Sequence, residues 1–417
     1  MPNIRLLVFF LVMQVAAGCC SPALAASISS GSLAGLGGIG SPHSGQADDM
    51  TWNPAALGET DHRMQFWVTP FSLYVDSNCL SAEHLVPLLS GSLDSDRMSA
   101  IRNEVQKEDG AHWSLGVGGG AHGSWGTRAF GVTVRGYIEG EMSPDAAQLL
   151  LVGGEPGHGY FTEGTRVEGT VFGEGYIGSV YSDPWLAEIL RIEGFHMGGM
   201  LGYIHGLGYG RAEIQGPAVE VVWDGESYSK VGDGRIVIAH SESGHGVSAN
   251  FGLWLRLTPQ LAVDVSVVDL GRVWWRDVTE TAFDLWVDPE SGEGSYEQSE
   301  TRQSDERPYW DMPLTVRTGV SLEPAKGVRW SLQYAKRLLG PMAGHHEIVL
   351  ASELTHLERI PVRLGVKYST YEERMSFSGG FGLRLGPLTL DIGSRNLLGL
   401  LAQGKEVSLS VSTGLRF

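Results

Sequence analysis

Three stretches of the chain carry residue types and spacings that invite a chemical reading. Gly35-Leu36-Gly37-Gly38-Ile39-Gly40 spells G-x-G-x-x-G, the turn that cradles a dinucleotide pyrophosphate. That chemistry needs a strand before the glycines and a βαβ unit around them; an apolar leader precedes them here, so the match is accidental. His345-His346 offers two imidazoles, but adjacent strand residues point to opposite faces and cannot jointly hold one metal. The segment from about 288 to 313 carries Glu290, Glu293, Glu297, Glu300, Asp305 and Glu306 against Arg302 and Arg307. It lacks the alternating Asp/Asn ligands and fixed glycine of a calcium loop, so a solvated loop is expected. Neither a G-x-S-x-G elbow nor an H-E-x-x-H pair occurs among the 13 scattered histidines. The sequence is read as no enzyme, with no cofactor and no metal site.

What remains is a pattern of elements. In the terminal "KEVSLSVSTGLRF", Val407, Leu409, Val411, Thr413, Leu415 and Phe417 alternate with Glu406, Ser408, Ser410, Ser412, Gly414 and Arg416. A strand sends alternate side chains to opposite faces, so one face is apolar and the other small or polar. The same alternation runs through 360–369, 375–385 and 388–393, and, less cleanly, through about a dozen earlier segments between 64 and 355, among them 230–241 and 272–287, each expected as a wall strand. Arg363, Lys367, Asp264 and Arg384 fall on the non-apolar faces. A wet lumen accommodates such charges, whereas a dry sandwich core does not without partners. The expected fold is all-β: a transmembrane antiparallel barrel of about 14 to 16 strands. Short helices are expected in loops on one side of the barrel or inside it. They begin at Asp94 or Ser95, at Ser143-Pro144 ending at Gly153, and at Asp183-Pro184 ending at Gly194.

Composition agrees with a barrel. There are 58 Gly, 12 Trp, 13 Tyr and 13 Phe, with 19% charged residues, and the mean hydropathy is −0.05. A wall that shows lipid only every second residue stays near neutral. The 48 Asp and Glu outnumber the 30 Lys and Arg, which argues against nucleic acid as a partner. The start has the form of an export signal: Arg5, an apolar stretch from Leu6 to about Ala17, and Ala23-Leu24-Ala25 as a cleavage site. Ala16-Ala17-Gly18-Cys19 offers a competing lipid-attachment reading at Cys19. The expected organisation is a leader over 1–25, an N-terminal segment over 26–61 and a barrel over 62–417.

The N-terminal segment contains "ADDMTWNPAALGE" directly before the first strand. A small-residue segment, a D-D-x-x-x-N-P-A-x-L motif, a large barrel and a terminal Phe together resemble the FadL-type outer-membrane superfamily, with its fatty acid transporters and its PorV-like and TraF-like relatives. The resemblance implies an outer-membrane location, with a hatch inside the barrel built from Asp48, Asp49, Trp52, Asn53, Pro54 and Ala55. It implies passive transport of a hydrophobic small molecule past that hatch. Its PorV-like relatives imply the alternative, an assembly or attachment scaffold with a blocked lumen. Trp67, Tyr137 and Trp254, on the less apolar strand faces, are candidate lumen contacts for the solute. Val411, Thr413, Leu415 and Phe417 resemble the C-terminal signal read by barrel-insertion machinery. Implied partners are therefore outer-membrane lipid, that machinery and the solute.

Overall fold

The computed structural model describes residues 30–40, 45–81, 83–84, 94–148, 159–160, 164–215, 219–223, 228–231, 234–287, 294–304, 307–340, 343–355, 359–370, 374–401 and 404–417. The leader, its cleavage site and Cys19 lie outside the described residues, as does Gly153.

Fourteen antiparallel strands form the wall. They are β1 (Met64–Ser77), β2 (Ala111–Trp125), β3 (Arg128–Met142), β4 (Arg166–Ser182), β5 (Gly194–Gln215), β6 (Ser243–Arg256) and β7 (Leu261–Arg276). There follow β8 (Thr315–Ala325), β9 (Val328–Arg337), β10 (His346–Leu354), β11 (Val362–Ser369), β12 (Arg374–Leu385), β13 (Leu388–Ser394) and β14 (Glu406–Arg416). Each pairs with the next, and β1 pairs with β14, so the sheet closes without a free edge. The chain end completes the seam, with the Phe417 amide donating to the Met64 carbonyl.

Strand register sorts the side chains. Gln65, Trp67 and Thr69 are buried, whereas Phe66 and Val68 are about two-fifths exposed. The same alternation leaves Phe130, Val132, Ile177, Leu201, Phe251, Leu332, Leu350, Leu364, Phe377 and Phe381 exposed on the outer surface. A continuous apolar belt of this extent cannot face water, and it is the lipid-facing surface of a barrel that crosses a bilayer with its strands. Arg363, Lys367 and Asp264 face inward and are buried, as their alternation predicts. Arg363 Nη1 lies 2.5 Å from Asp391 and its Nε 2.9 Å from Glu353; Lys367 Nζ lies 2.9 Å from Glu406. The two cations are tolerated because each is paired, and Asp264 accepts a hydrogen bond from Asn53.

The sequence reading is corrected in three places. Segments expected as separate wall strands at 230–241 and 272–287 belong partly to a sheet that rises from the long-loop end of the wall. The last residues of β5 pair there with Gly234–Ser241, which pairs with Thr279–Val287, which pairs with Gly294–Gln303. The acidic 288–313 segment, expected as a loop, supplies that last strand and a short strand, Tyr309–Asp311, against β7. The helices are not confined to one end or to the interior. Ser95–Lys107, capped by Asp94, and Pro144–Ala147 are at the long-loop end, whereas Pro184–Leu190 joins β4 to β5 at the tight-turn end. The last of these stops at Arg191 in the left-handed conformation, ahead of Gly194.

Candidate functional site

The N-terminal segment lies against the inner wall. Ser30 caps a short helix, Gly31–Gly35, whose first amide donates to Ser412 Oγ at 3.0 Å. Gly37 and Gly38 have φ of +81° and +93°, the left-handed region that favours glycine. They turn the chain so that Leu36 and Ile39 pack on Val349 and Ala351 of β10. The G-x-G-x-x-G match is thus a turn against the wall.

The second half reaches the opposite side. Gln46 and Asp49 close a capping box on a 3₁₀ turn, Ala47–Thr51. Asn53 caps the next turn, Pro54–Glu59, with Oδ1 accepting from Ala55 N at 3.0 Å, while its Nδ2 donates to Asp264 at 3.4 Å. Asn250 Nδ2 donates to the Met50 carbonyl and Ser266 Oγ to the Trp52 carbonyl, both at 3.0 Å. Pro54 and Ala55 lie on Gly198, and Asn53 on Gly252, where a Cβ would overlap them. Asp48, Asp49, Trp52, Asn53, Pro54 and Ala55 are all buried. Gly252→Val should therefore loosen this contact by about tenfold, an overpacking effect. The rate of protease cleavage within residues 45–60, at unchanged barrel folding, checks it.

Desolvation pushes the Asp48 carboxyl up to about 6; Ser30 and Arg416 pull it back, and Asp391 adds to the rise. A released segment would titrate near the ordinary value of about 3.9. Between those values the docked form holds a proton that the free form has lost, so docking strengthens as pH falls from about 6 towards 4 and is flat above neutrality. Hydrogen-exchange protection of residues 45–60, taken relative to the intrinsic amide rate at each pH, should rise over that window, and Asp48→Asn should abolish that rise.

Above this segment, towards the long-loop end, the inner face is layered along β3 and β4. Ala129, Tyr176 and Val180 meet Met50. Next come Thr133, Glu174 and Arg135, with Arg135 2.8 Å from Glu174 and 2.6 Å from Asp269. The third layer is apolar: Tyr137, Phe172, Tyr209, Trp275 and Trp310, with Ile204, Val273 and Met312. Ring centroids lie 5.1 Å apart for Tyr137 and Trp310, and 5.6 Å for Tyr209 and Trp275. Glu139 and Glu168 form the layer above.

Two bulges build this ring cluster. Leu207 is an extra residue between Gly206 and Gly208 opposite Val171-Phe172, and it turns Tyr209 inward. On β7, Asp269 with φ of +57° shifts the phase so that Trp275, rather than Trp274, faces in. The same bulge delivers Asp269 to Arg135.

The three nominated aromatic contacts all face inward, but the structure does not bring them together. Tyr137 joins the ring cluster. Trp67 is buried beneath Arg416, whose guanidinium is 5.0 Å from its ring, and Trp254 Nε1 donates to Glu59 at 3.1 Å; both lie towards the tight-turn end. Val411, Thr413 and Leu415 occupy outward positions of β14. Among the described residues no His, Cys, Asp and Glu group is arranged to hold a metal.

No family model and no curated protein matches the sequence. Solved structures do match. The toluene transporter TbuX of Ralstonia pickettii aligns over 94% of this chain and 99% of its own, with TM-score 0.54 and 12% identity. The monoaromatic hydrocarbon channel CymD aligns over 95% and 99%, with TM-score 0.53 and 12% identity. The toluene transporter TodX of Pseudomonas putida aligns over 95% and 100%, with TM-score 0.53 and 8% identity. This is a FadL-type barrel fold. The FadL-type architecture accounts for the near-complete coverage in both directions, and at such identity the likeness is one of fold. The ring cluster was not legible from the sequence, although the Trp274-Trp275 pair and the glycine-rich run 198–210 mark its surroundings.

Proposed function

We propose that this chain is an outer-membrane channel for passive transport of hydrophobic small molecules, with residues 30–60 acting as a hatch. The observation that carries the reading is the inward aromatic cluster Tyr137, Phe172, Tyr209, Trp275 and Trp310, separated from the lumenal segment by the Arg135–Glu174 layer. The rings are buried against one another, so they close the lumen with an apolar layer that admits an apolar solute at less cost than a polar one. Three neighbours of the same fold are described as toluene transporters or a monoaromatic hydrocarbon channel. That supports hydrophobic solutes over a general porin, which gains nothing from a filled lumen. The leader and terminal Phe fit export and insertion into the outer membrane. The scaffold alternative predicts a lumen that passes nothing.

The test uses 1-N-phenylnaphthylamine, which an intact lipopolysaccharide leaflet excludes and which fluoresces on reaching phospholipid. Cells producing the protein should take it up faster than cells without it, and Phe172→Asp should remove most of the gain. Equal uptake with and without correctly folded protein would support the scaffold.

A further inference from the structure

We propose that the mouth of the lumen between β2, β3 and β4 binds the ammonium head of an amphiphilic amine whose apolar body lies on the ring cluster. The inference rests on the hydrophobic-transport reading and names a substrate class that reading leaves open. A cavity of about 150 Å³ is lined there by His112, Ser114, Glu139, Glu141, Arg166 and Glu168. Three carboxylates face one guanidinium. Arg166 is engaged with Glu141 at 3.5 Å, and Glu168 accepts from Tyr209 Oη at 3.2 Å.

Among the described residues, two groups in the cavity have no hydrogen-bond or ion-pair partner. Glu139 makes no hydrogen bond or ion pair among the described residues, and Arg166 and Arg337 act on it only at longer range. Ser114 is 8% exposed and its Oγ has no partner. A buried hydroxyl and a half-buried carboxylate of this kind cost free energy until a donor arrives.

The chemistry of that donor follows from what lies below. Tyr137 is the next inward residue after Glu139 on β3, and Phe172 follows Glu168 and Thr170 on β4. Tyr209 belongs to the ring cluster and touches Glu168, so the acidic cavity and the aromatic floor share a boundary. A primary ammonium has three N–H donors, enough for Glu139, Glu168 and Ser114, and the rings add cation–π attraction. A carboxylate-headed amphiphile meets uncompensated negative charge at the same place. A neutral hydrocarbon leaves the acidic layer as it was.

Calorimetric titration of the full-length folded protein in non-ionic micelles tests this, with 3-phenylpropylammonium, 3-phenylpropionate and propylbenzene as probes. The ammonium should bind about tenfold or more tightly than the propionate, and less tightly as salt rises. Glu139→Gln should weaken the ammonium by about tenfold and leave propylbenzene unchanged. Ser114→Ala should do the same to a smaller degree. Migration of unboiled samples in a gel establishes that each variant is folded. Equal binding of ammonium and propionate, or no effect of Glu139→Gln, would overturn the assignment. Retained ammonium binding with no hydrophobic-probe uptake sinks only the transport reading. Lost ammonium preference with intact uptake sinks only this site.

Discussion

Barrels lacking residues 30–60 should conduct small ions, whereas the intact protein should stay near the membrane baseline. The segment touches β12, β13 and β14 through Gly31–Gly35 and β4, β5 and β6 through Pro54–Glu59, so it crosses the lumen from one side to the other. Its removal leaves a fourteen-stranded ring lined by Arg363, Lys367, Asp391, Glu406 and their neighbours, which is a wet, charged interior. Single-channel conductance in a planar bilayer should rise by roughly tenfold or more, towards that of a water-filled barrel. The wall itself should survive, because all fourteen strands keep their ladders. A deletion barrel that folds and does not conduct would mean that the loops, rather than the segment, block the lumen.

Arg363→Met should cost about 3–5 kcal/mol of barrel stability. Arg363 is 1% exposed and holds Glu353 and Asp391, themselves 4% and 0% exposed. Methionine fills the volume but leaves two buried carboxylates facing one another, with Arg329, 3.4 Å from Glu353, too little to neutralise both. The denaturant midpoint of unfolding, read from gel mobility of unboiled samples, should fall sharply. Combining Arg363→Met with Glu353→Gln and Asp391→Asn should recover most of the loss, because a neutral cluster no longer pays for unpaired charge. An unchanged midpoint in the single variant would show these charges to be solvated rather than paired.

The wall was legible in the sequence wherever a strand is regular. From 406 to 416 the alternation is unbroken, and the structure gives β14 at those residues with its polar set inward. Around Leu261, Val263, Val265 and Val267 the phase is equally clear and places Asp264 inside. It fails beyond Val268, because one extra residue at the Asp269 bulge flips the remainder of β7. Extending the alternation of 261–267 puts Trp274 in the lumen and Trp275 outside, the reverse of the structure. Leu207 hides Tyr209 in the same way. The ring cluster therefore rests on two bulges that periodicity cannot register, and it also draws Trp310 from a segment read as a polar loop.

The N-terminal motif was more informative than its length suggests. Asn53-Pro54 reads as a turn, and Asn53 Oδ1 does cap a turn, but its Nδ2 donates to Asp264, 211 residues away. Only the folded wall shows that Gly198 and Gly252 clear the floor for it.

On the proposed transport reading, the N-terminal segment must move for a hydrophobic solute to pass. Cysteines at Asn53 and Gly252 would join the segment to β6, since a Cβ on Gly252 lies 3.0 Å from Asn53 Cγ. Uptake of 1-N-phenylnaphthylamine by cells carrying this pair should be low when oxidised and rise to at least the level of the unmodified protein on reduction. Uptake that is equal in the two states, with the disulfide shown to have formed, would contradict the account.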